Sequence, residues 1–166
     1  MLLLSLIMIF ILDVPPVVSQ EYAQFAGEMA LMRKDYKRFC VDKEEDHYLC
    51  LYRFEGTNHS TGQTSFMHLA TVTHCLFADV IKRTGPIQGY TSLSSQEGNV
   101  VLKWRGQWTT TQSPDDSSLM IFEGTFSILR GTGQYANVEG TGIFKGKMTA
   151  PIVLVAEWEG EYIRTK

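Results

Sequence analysis

The pattern of apolar and polar positions along the chain is mostly that of β-strands. Between 120 and 128, large apolar residues share one parity, whereas Glu123, Thr125 and Ser127 share the other. A period of two is typical of a strand with one buried face. Three further segments alternate in the same way: 47–54, 100–108 and 152–158. Counted along the whole chain, about eight strands at roughly ten-residue spacing predict one antiparallel sheet that closes on itself.

Glycines punctuate the last third of the chain. Two Gly-Thr-Gly triplets stand at 131–133 and 140–142, on either side of a short segment that begins at Tyr135. Glycine accepts the positive φ angles of tight turns, and inside strands it marks bulges and close backbone approaches. Such bends are what a small closed sheet needs at its corners.

The segment 20–39 has an ambiguous pattern. Its aromatic residues and methionines recur at spacings of three and four, which favours an amphipathic helix, yet parts of the segment also fit a strand. We interpret 20–35 as an N-terminal extension and 36–41 as the first strand of a barrel domain that covers 36–166. The predicted fold class is all-β, a single antiparallel, calycin-like barrel of roughly eight strands. A short N-terminal helix is left open.

Residues 1–12 form an apolar run that Asp13 and Pro15-Pro16 follow. The run is too short to span a bilayer, but it suits the hydrophobic region of a signal peptide, and Val17 and Ser19 fit a cleavage site after Ser19. The sequence therefore predicts a signal peptide over 1–19 and a secreted or periplasmic mature protein without a membrane segment.

Composition limits the classes of partner. With 166 residues, of which 44% are hydrophobic, the chain is long enough for one domain with a core. Its net charge is −3, and no dense Lys/Arg cluster supplies the positive surface that a nucleic-acid backbone requires. Nucleic acid is therefore not an expected partner.

Export would place the three cysteines in an oxidising compartment. Cys40 and Cys50 are equidistant from Glu45, so a hairpin that turns through 42–46 would bring them opposite each other. We predict a Cys40–Cys50 disulfide on this basis. The alternative is three reduced cysteines that pack as small hydrophobic residues.

Motifs for cofactors and metals are weak. Residues 131–136 formally match a dinucleotide-binding fingerprint, but the glycine-containing sequence after them cannot form the required helix. The spacings of His59, His68, His74 and Cys75 match no zinc module. His74 and Cys75 are also adjacent on a strand, so their side chains point to opposite faces. We therefore expect no cofactor and no metal.

Asn58-His59-Ser60 is an N-glycosylation sequon, which has meaning only in a host that glycosylates secreted proteins.

Aromatic residues of the later strands could line a cavity inside the barrel, because an eight-stranded barrel either is filled or holds one small ligand. The candidate ligand-binding residues are Trp104, Phe122, Phe126, Tyr135, Phe144 and Trp158. Glu123 is the one weak candidate for a catalytic acid, since a carboxylate inside an apolar barrel would stay protonated. Its parity opposite the apolar face favours a solvent-facing position.

A resemblance to a known family rests on FEGTF, a short gap and GTGQYANVEGTGIF, all within 122–144. This segment resembles the GTF and glycine-rich GTGxY signature of the allene oxide cyclase-like and dirigent-like barrel superfamily. The resemblance implies a barrel that steers an apolar substrate, in proteins that often form dimers or trimers. Some relatives carry a second cysteine after a Gly-Tyr pair, where this chain has Thr91.

Three functions follow as hypotheses. The first is a secreted barrel that binds an apolar small molecule or a partner without a catalytic set of its own. The second is a cyclase, isomerase or dirigent-type enzyme that folds a reactive apolar substrate into one conformer, as the resemblance implies. The third is a homo-oligomeric assembly protein.

Overall fold

The computed structural model describes residues 20–112 and 118–165, which form one closed antiparallel barrel. Its strands are β1 (Gln20–Asp42), β2 (His47–Ser60), β3 (Thr71–Ile81), β4 (Thr84–Ser95), β5 (Gly98–Gln112), β6 (Ser118–Gly131), β7 (Val138–Ala150) and β8 (Val153–Thr165). Each strand pairs with the next, and β1 closes the barrel against β8. The predicted all-β barrel is therefore confirmed, whereas the predicted signal peptide lies outside the described residues.

The N-terminal interpretation was wrong in one respect. Residues 20–35 are neither a helix nor an extension, because β1 is continuous from Gln20 and pairs with β8 up to Met32. Phe25, Met29 and Leu31 are buried inside the barrel, and their neighbours in sequence face outward. The spacings of three and four misled because outward-facing aromatic residues and methionines also lie on this strand. Within the described residues, no helix is long and apolar enough to cross a membrane.

The predicted Cys40–Cys50 disulfide is not formed, and all three cysteines are free. The β1–β2 register places Cys40 opposite Tyr48 and Cys50 opposite Arg38. The turn is centred earlier than Glu45 because the Asp42 carboxylate accepts the Glu44 backbone N–H at 2.9 Å and fixes where the chain reverses. A bulge between Cys40 and Asp42 shifts the register further.

Large side chains fill the inside of the barrel. Trp104, Phe126 and Trp158 are each about as buried as the aliphatic core residues around them. Gly142 is needed at its position on β7, since a Cβ there would overlap the ring of Phe126. The glycine-rich late strands thus make room for the aromatic core.

The two ends of the barrel differ. At one end, which we call the hairpin end, short turns follow β1, β3 and β7, and the β5–β6 connection lies at the same end. At the other end, residues 61–70, which we call the plug, fold over the opening. Phe66 of the plug stacks on Phe25 with ring centroids 4.7 Å apart, and Met67 is completely buried. Among the described residues, the plug closes one end of the barrel and no comparable segment covers the hairpin end.

Asn58 holds the plug in place. Its side-chain N–H donates to the Met67 carbonyl at 2.8 Å, and its side-chain oxygen accepts the Trp158 indole N–H at 3.0 Å. The Tyr135 hydroxyl accepts the Met67 backbone N–H at 3.3 Å from the other side. Because Asn58 is 0% exposed, the sequon that contains it has no accessible acceptor in the folded protein.

Candidate functional site

The six aromatic residues proposed from the sequence do not form one site. Tyr135 packs against the plug, and Phe122 borders a gap of about 30 Å³ close to the hairpin end. The other four surround a central cavity: Trp104, Phe126, Phe144 and Trp158. That cavity has a volume of about 40 Å³. A single water occupies roughly 30 Å³ of liquid, so the centre of the barrel is essentially filled.

His74 is the polar group of the central cavity. Its Nδ1 lies 2.7 Å from the Thr91 hydroxyl, and its ring stacks on Trp104 with centroids 4.7 Å apart. Burial lowers the pKa of His74 from 6.5 to about 4, so the imidazole is neutral at neutral pH. The Trp104 indole N–H, which is buried, has no hydrogen-bond partner among the described residues.

A larger cavity of about 290 Å³ opens at the hairpin end, and we call it the mouth. It is lined chiefly by Tyr36, Tyr48, Tyr52, Trp108, Thr110, Arg33, Arg38 and Arg83. A bulge between Arg33 and Asp35 changes the parity of β1, so Tyr36 and Arg38 turn inward there. Beyond Met32, β1 no longer pairs with β8, and this leaves the side of the mouth open.

Stacked rings form the wall of the mouth. Tyr36 stacks on Tyr52 with centroids 4.7 Å apart, and Tyr52 packs against Trp108 at 5.9 Å. The Trp108 indole N–H donates to the Thr110 hydroxyl at 2.9 Å, which fixes the orientation of the indole. Rigid, partly exposed aromatic surfaces of this kind suit a planar apolar ligand.

Three arginines give the mouth a positive charge. The guanidinium carbon of Arg38 lies 3.3 Å from the centre of the Tyr48 ring, and that of Arg33 lies 5.2 Å from the Tyr36 ring. Asp46 is the one acidic residue of the described lining, and its carboxylate is 3.9 Å from Arg38. No carboxylate of the described residues is within ion-pairing distance of Arg33 or Arg83.

The phenols of Tyr36 and Tyr52 and the thiol of Cys50 add no negative charge at neutral pH. Burial raises the pKa of Tyr52 strongly, and that of Tyr36 in the same direction. Burial also raises the pKa of the Cys50 thiol, although a hydrogen bond with Tyr36 and the charge of Arg38 oppose the shift. The cysteine is thus a neutral thiol, less reactive than a thiolate.

Sequence reasoning missed most of the mouth. Arg33 belongs to the segment that was interpreted as an extension, whereas Tyr36 and Arg38 lie on the predicted strand 36–41. No sequence pattern reveals the bulge that turns Tyr36 and Arg38 inward. The available signal was on β2, where Tyr48, Cys50 and Tyr52 share one parity with buried Phe54. Tyrosines that follow buried apolar residues on the inward face of a strand are typical of the opening of a barrel, where the hydroxyl groups can reach water.

Glu123 lies outside the barrel. It is exposed on β6, opposite Gln107 on β5 and Lys145 on β7, and it contacts neither the mouth nor the central cavity. Glu123 therefore faces solvent, as its parity in the sequence favours. In the part of the chain that the structure describes, no three His, Cys, Asp or Glu residues come together as they would around a metal ion.

A second concave surface lies on the outside of the barrel, and we call it the outer groove. It has a volume of about 490 Å³, and its outward-facing apolar residues include Leu51, Phe77 and Tyr90. Leu51 and Tyr90 are 45% and 49% exposed. Lys37, Arg53 and Lys103 add positive charge to its lining. Exposed apolar surface with a charged border is typical of a contact with another protein.

Comparison with known proteins identifies a fold but no family. No protein-family model and no curated protein matches the sequence. The structure is similar to that of a pterocarpan synthase dirigent protein, with a TM-score of 0.52 over 93% of this chain and 99% of that chain. The two sequences are 10% identical, a level at which the likeness shows the fold alone. The barrel therefore has a dirigent-like fold, as the resemblance in its glycine-rich segment predicted.

Proposed function

We propose that the protein binds a small aromatic molecule in the mouth of its barrel. The observation that carries the proposal is the mouth itself, about 290 Å³, with Tyr36 stacked on Tyr52 and Trp108 packed against Tyr52 on one wall. Pockets for small molecules begin at roughly 300 Å³ and are lined mainly by aromatic and apolar groups. The central cavity is too small for such a ligand, so the ligand binds at the hairpin end.

The dirigent-like fold supports a binding or substrate-steering role. In a steering enzyme, the mouth would hold a reactive aromatic substrate in one conformer, with shape rather than a fixed catalytic set determining the product. A simple binding protein would release its ligand unchanged. Export from the cell belongs to the same proposal, as the sequence of residues 1–19 predicts.

Titration with 2-naphthamide, a neutral aromatic probe, tests the binding site. We expect saturable binding that Thr110→Trp abolishes, because an added indole would occupy the mouth. Thr109→Trp is the matched control, since Thr109 is exposed on the outer face of the same strand. Binding that both variants retain, or that both lose, would place the probe elsewhere and contradict the proposal.

A second function is favoured by the outer groove, where a second copy of the chain would cover Leu51 and Tyr90. Leu51→Glu should then shift a dimer or trimer to the monomer in light scattering, with the melting temperature unchanged. Leu129→Glu is the control, because Leu129 is a similarly exposed apolar residue on β6, away from the groove. A wild-type monomer at high concentration would remove this function from consideration.

A further inference from the structure

We infer that the molecule bound in the mouth is an anion, an aromatic compound with a single oxyanion head group that the arginines hold. This inference rests on the proposed function, because it names the chemical class of the ligand for the same site. Four features of the mouth support it: its balance of charge, the guanidinium–ring contacts, the weak ion pair between Arg38 and Asp46, and the turn that carries Arg83.

The described lining of the mouth has a charge opposite to that of the protein. The chain as a whole has 15 basic and 18 acidic residues, a net charge of −3. The described lining of the mouth has three arginines against Asp46, which gives a net charge of +2. Asp115 and Asp116 lie outside the described residues and are not counted. A concentration of one sign of charge in a concave, aromatic site attracts a ligand of the other sign.

The guanidinium groups are arranged for an oxyanion. Arg38 lies over the face of Tyr48 and Arg33 over the face of Tyr36. A guanidinium that stacks on a ring keeps its N–H donors in its own plane, directed away from the ring face, where they can pair with the two oxygens of a carboxylate.

Arg38 and Asp46 form only a weak ion pair. Their closest atoms are 3.9 Å apart, and their side chains are 47% and 52% exposed. Exposed pairs at such distances contribute little to stability, so an incoming oxyanion can replace Asp46 as the partner of Arg38. Arg33 and Arg83, which have no ion-pair partner among the described residues, are available without any rearrangement.

Arg83 reaches the mouth from a strained turn. Lys82 and Arg83 connect Ile81 to Thr84 with φ angles of 48° and 71°, a region that side chains other than Asn and Gly rarely adopt. The turn is held by its neighbours, since the Thr110 N–H donates to the Arg83 carbonyl at 3.0 Å. Positive φ angles at both positions are typical of a two-residue hairpin loop, and this loop sets the point at the edge of the mouth from which the Arg83 side chain starts.

Paired titrations of 2-naphthoate and 2-naphthamide at low ionic strength test the inference. The two probes have nearly the same shape and differ in charge. We expect 2-naphthoate to bind at least about tenfold more tightly, and Arg38→Gln to remove most of that difference without weakening 2-naphthamide. Arg105→Gln, which removes an equal charge from the outer face of β5, should leave both affinities unchanged. Added salt should weaken 2-naphthoate alone.

Each other result contradicts the anion inference, and one of them also contradicts the proposed function. Equal affinities, or a preference that survives both Arg38→Gln and Arg83→Gln, would overturn the anion inference and leave the mouth as a site for neutral ligands. Binding of 2-naphthoate that Thr110→Trp does not affect would place the anion elsewhere and overturn it as well. Failure of both probes to bind would overturn the proposed function together with the inference. Circular dichroism of each variant excludes loss of folding as the cause.

Discussion

The imidazole of His74 lies flat on the indole of Trp104, with ring centroids 4.7 Å apart and planes within 5° of parallel. The stack and the surrounding barrel wall shield the imidazole from solvent, so its charged form is disfavoured. The Thr91 hydroxyl meets the hydrogen-bonding need of Nδ1. The result is a buried histidine whose protonation is linked to unfolding.

Stability should therefore fall as the pH is lowered from about 6.5 to about 4. Unfolding restores the ordinary pKa of His74, 6.5, whereas the folded value is about 4, so below pH 6.5 the unfolded chain binds a proton that the folded chain does not. The free energy of unfolding should decrease by about 3 kcal/mol over that interval because of His74 alone. Urea denaturation at several pH values measures this loss.

Comparison with His74→Gln isolates the contribution of the imidazole. Glutamine keeps a hydrogen-bonding group near Thr91 but does not titrate, so its free energy of unfolding should depend less on pH between 6.5 and 4. If His74→Gln and the wild type lose stability in parallel, the buried neutral histidine is not the cause.

Two buried tryptophans offer a matched test of hydrogen bonding. Trp104 and Trp158 are both 4% exposed, but the Trp158 indole N–H donates to Asn58 at 3.0 Å, whereas that of Trp104 has no partner among the described residues. Trp158→Phe leaves the Asn58 oxygen unsatisfied, so it should cost about 1–3 kcal/mol more than Trp104→Phe. Equal losses in thermal unfolding would mean that packing alone determines both.

The barrel could be predicted from the sequence because its signals are local. Alternation such as that of Phe122, Glu123 and Phe126 fixes which side chains face inward, and the glycine triplets mark where the chain bends. The same reasoning also placed Trp104 and Trp158 in the interior. It could not tell that these side chains fill the barrel, because cavity volume depends on packing across the barrel.

The mouth could not be predicted, because it depends on register. One bulge after Arg33 decides that Tyr36 and Arg38 face inward, and a change of one residue would place them on the outside. Similarly, the two-residue difference between the expected and the observed hairpin register separates Cys40 from Cys50. Sequence patterns identify strands well, but they do not determine the register in which two strands pair.

Asn58 should act as the latch of the plug. Asn58→Ala leaves the Trp158 indole N–H without a partner in a buried place and removes one of the two hydrogen bonds to the Met67 carbonyl, which still accepts the Ala70 backbone N–H. The substitution should cost about 1–3 kcal/mol. The plug should also become more sensitive to proteolysis within 61–70. Asn99→Ala removes an exposed asparagine and should change neither property.

A double-mutant cycle separates the latch from general loss of packing. Combined with Trp158→Phe, Asn58→Ala should cost clearly less than the sum of the two single changes, because both remove the same hydrogen bond. Additive losses would show that the bond between Asn58 and Trp158 contributes nothing to the stability of the plug.

Replacement of the turn Lys82-Arg83 by Asn-Gly should separate stability from binding. Both positions have positive φ, where Asn and Gly are favoured, so the double variant should be more stable by about 1–2 kcal/mol. It should also bind 2-naphthoate more weakly and 2-naphthamide as before, since it removes the guanidinium of Arg83 from the mouth.

Lys82→Asn alone tests the backbone effect, because it loses only an exposed ion pair with Glu45. A stabilised double variant with wild-type affinity for 2-naphthoate would show that Arg83 takes no part in holding the anion, and Arg33 and Arg38 would have to hold it alone.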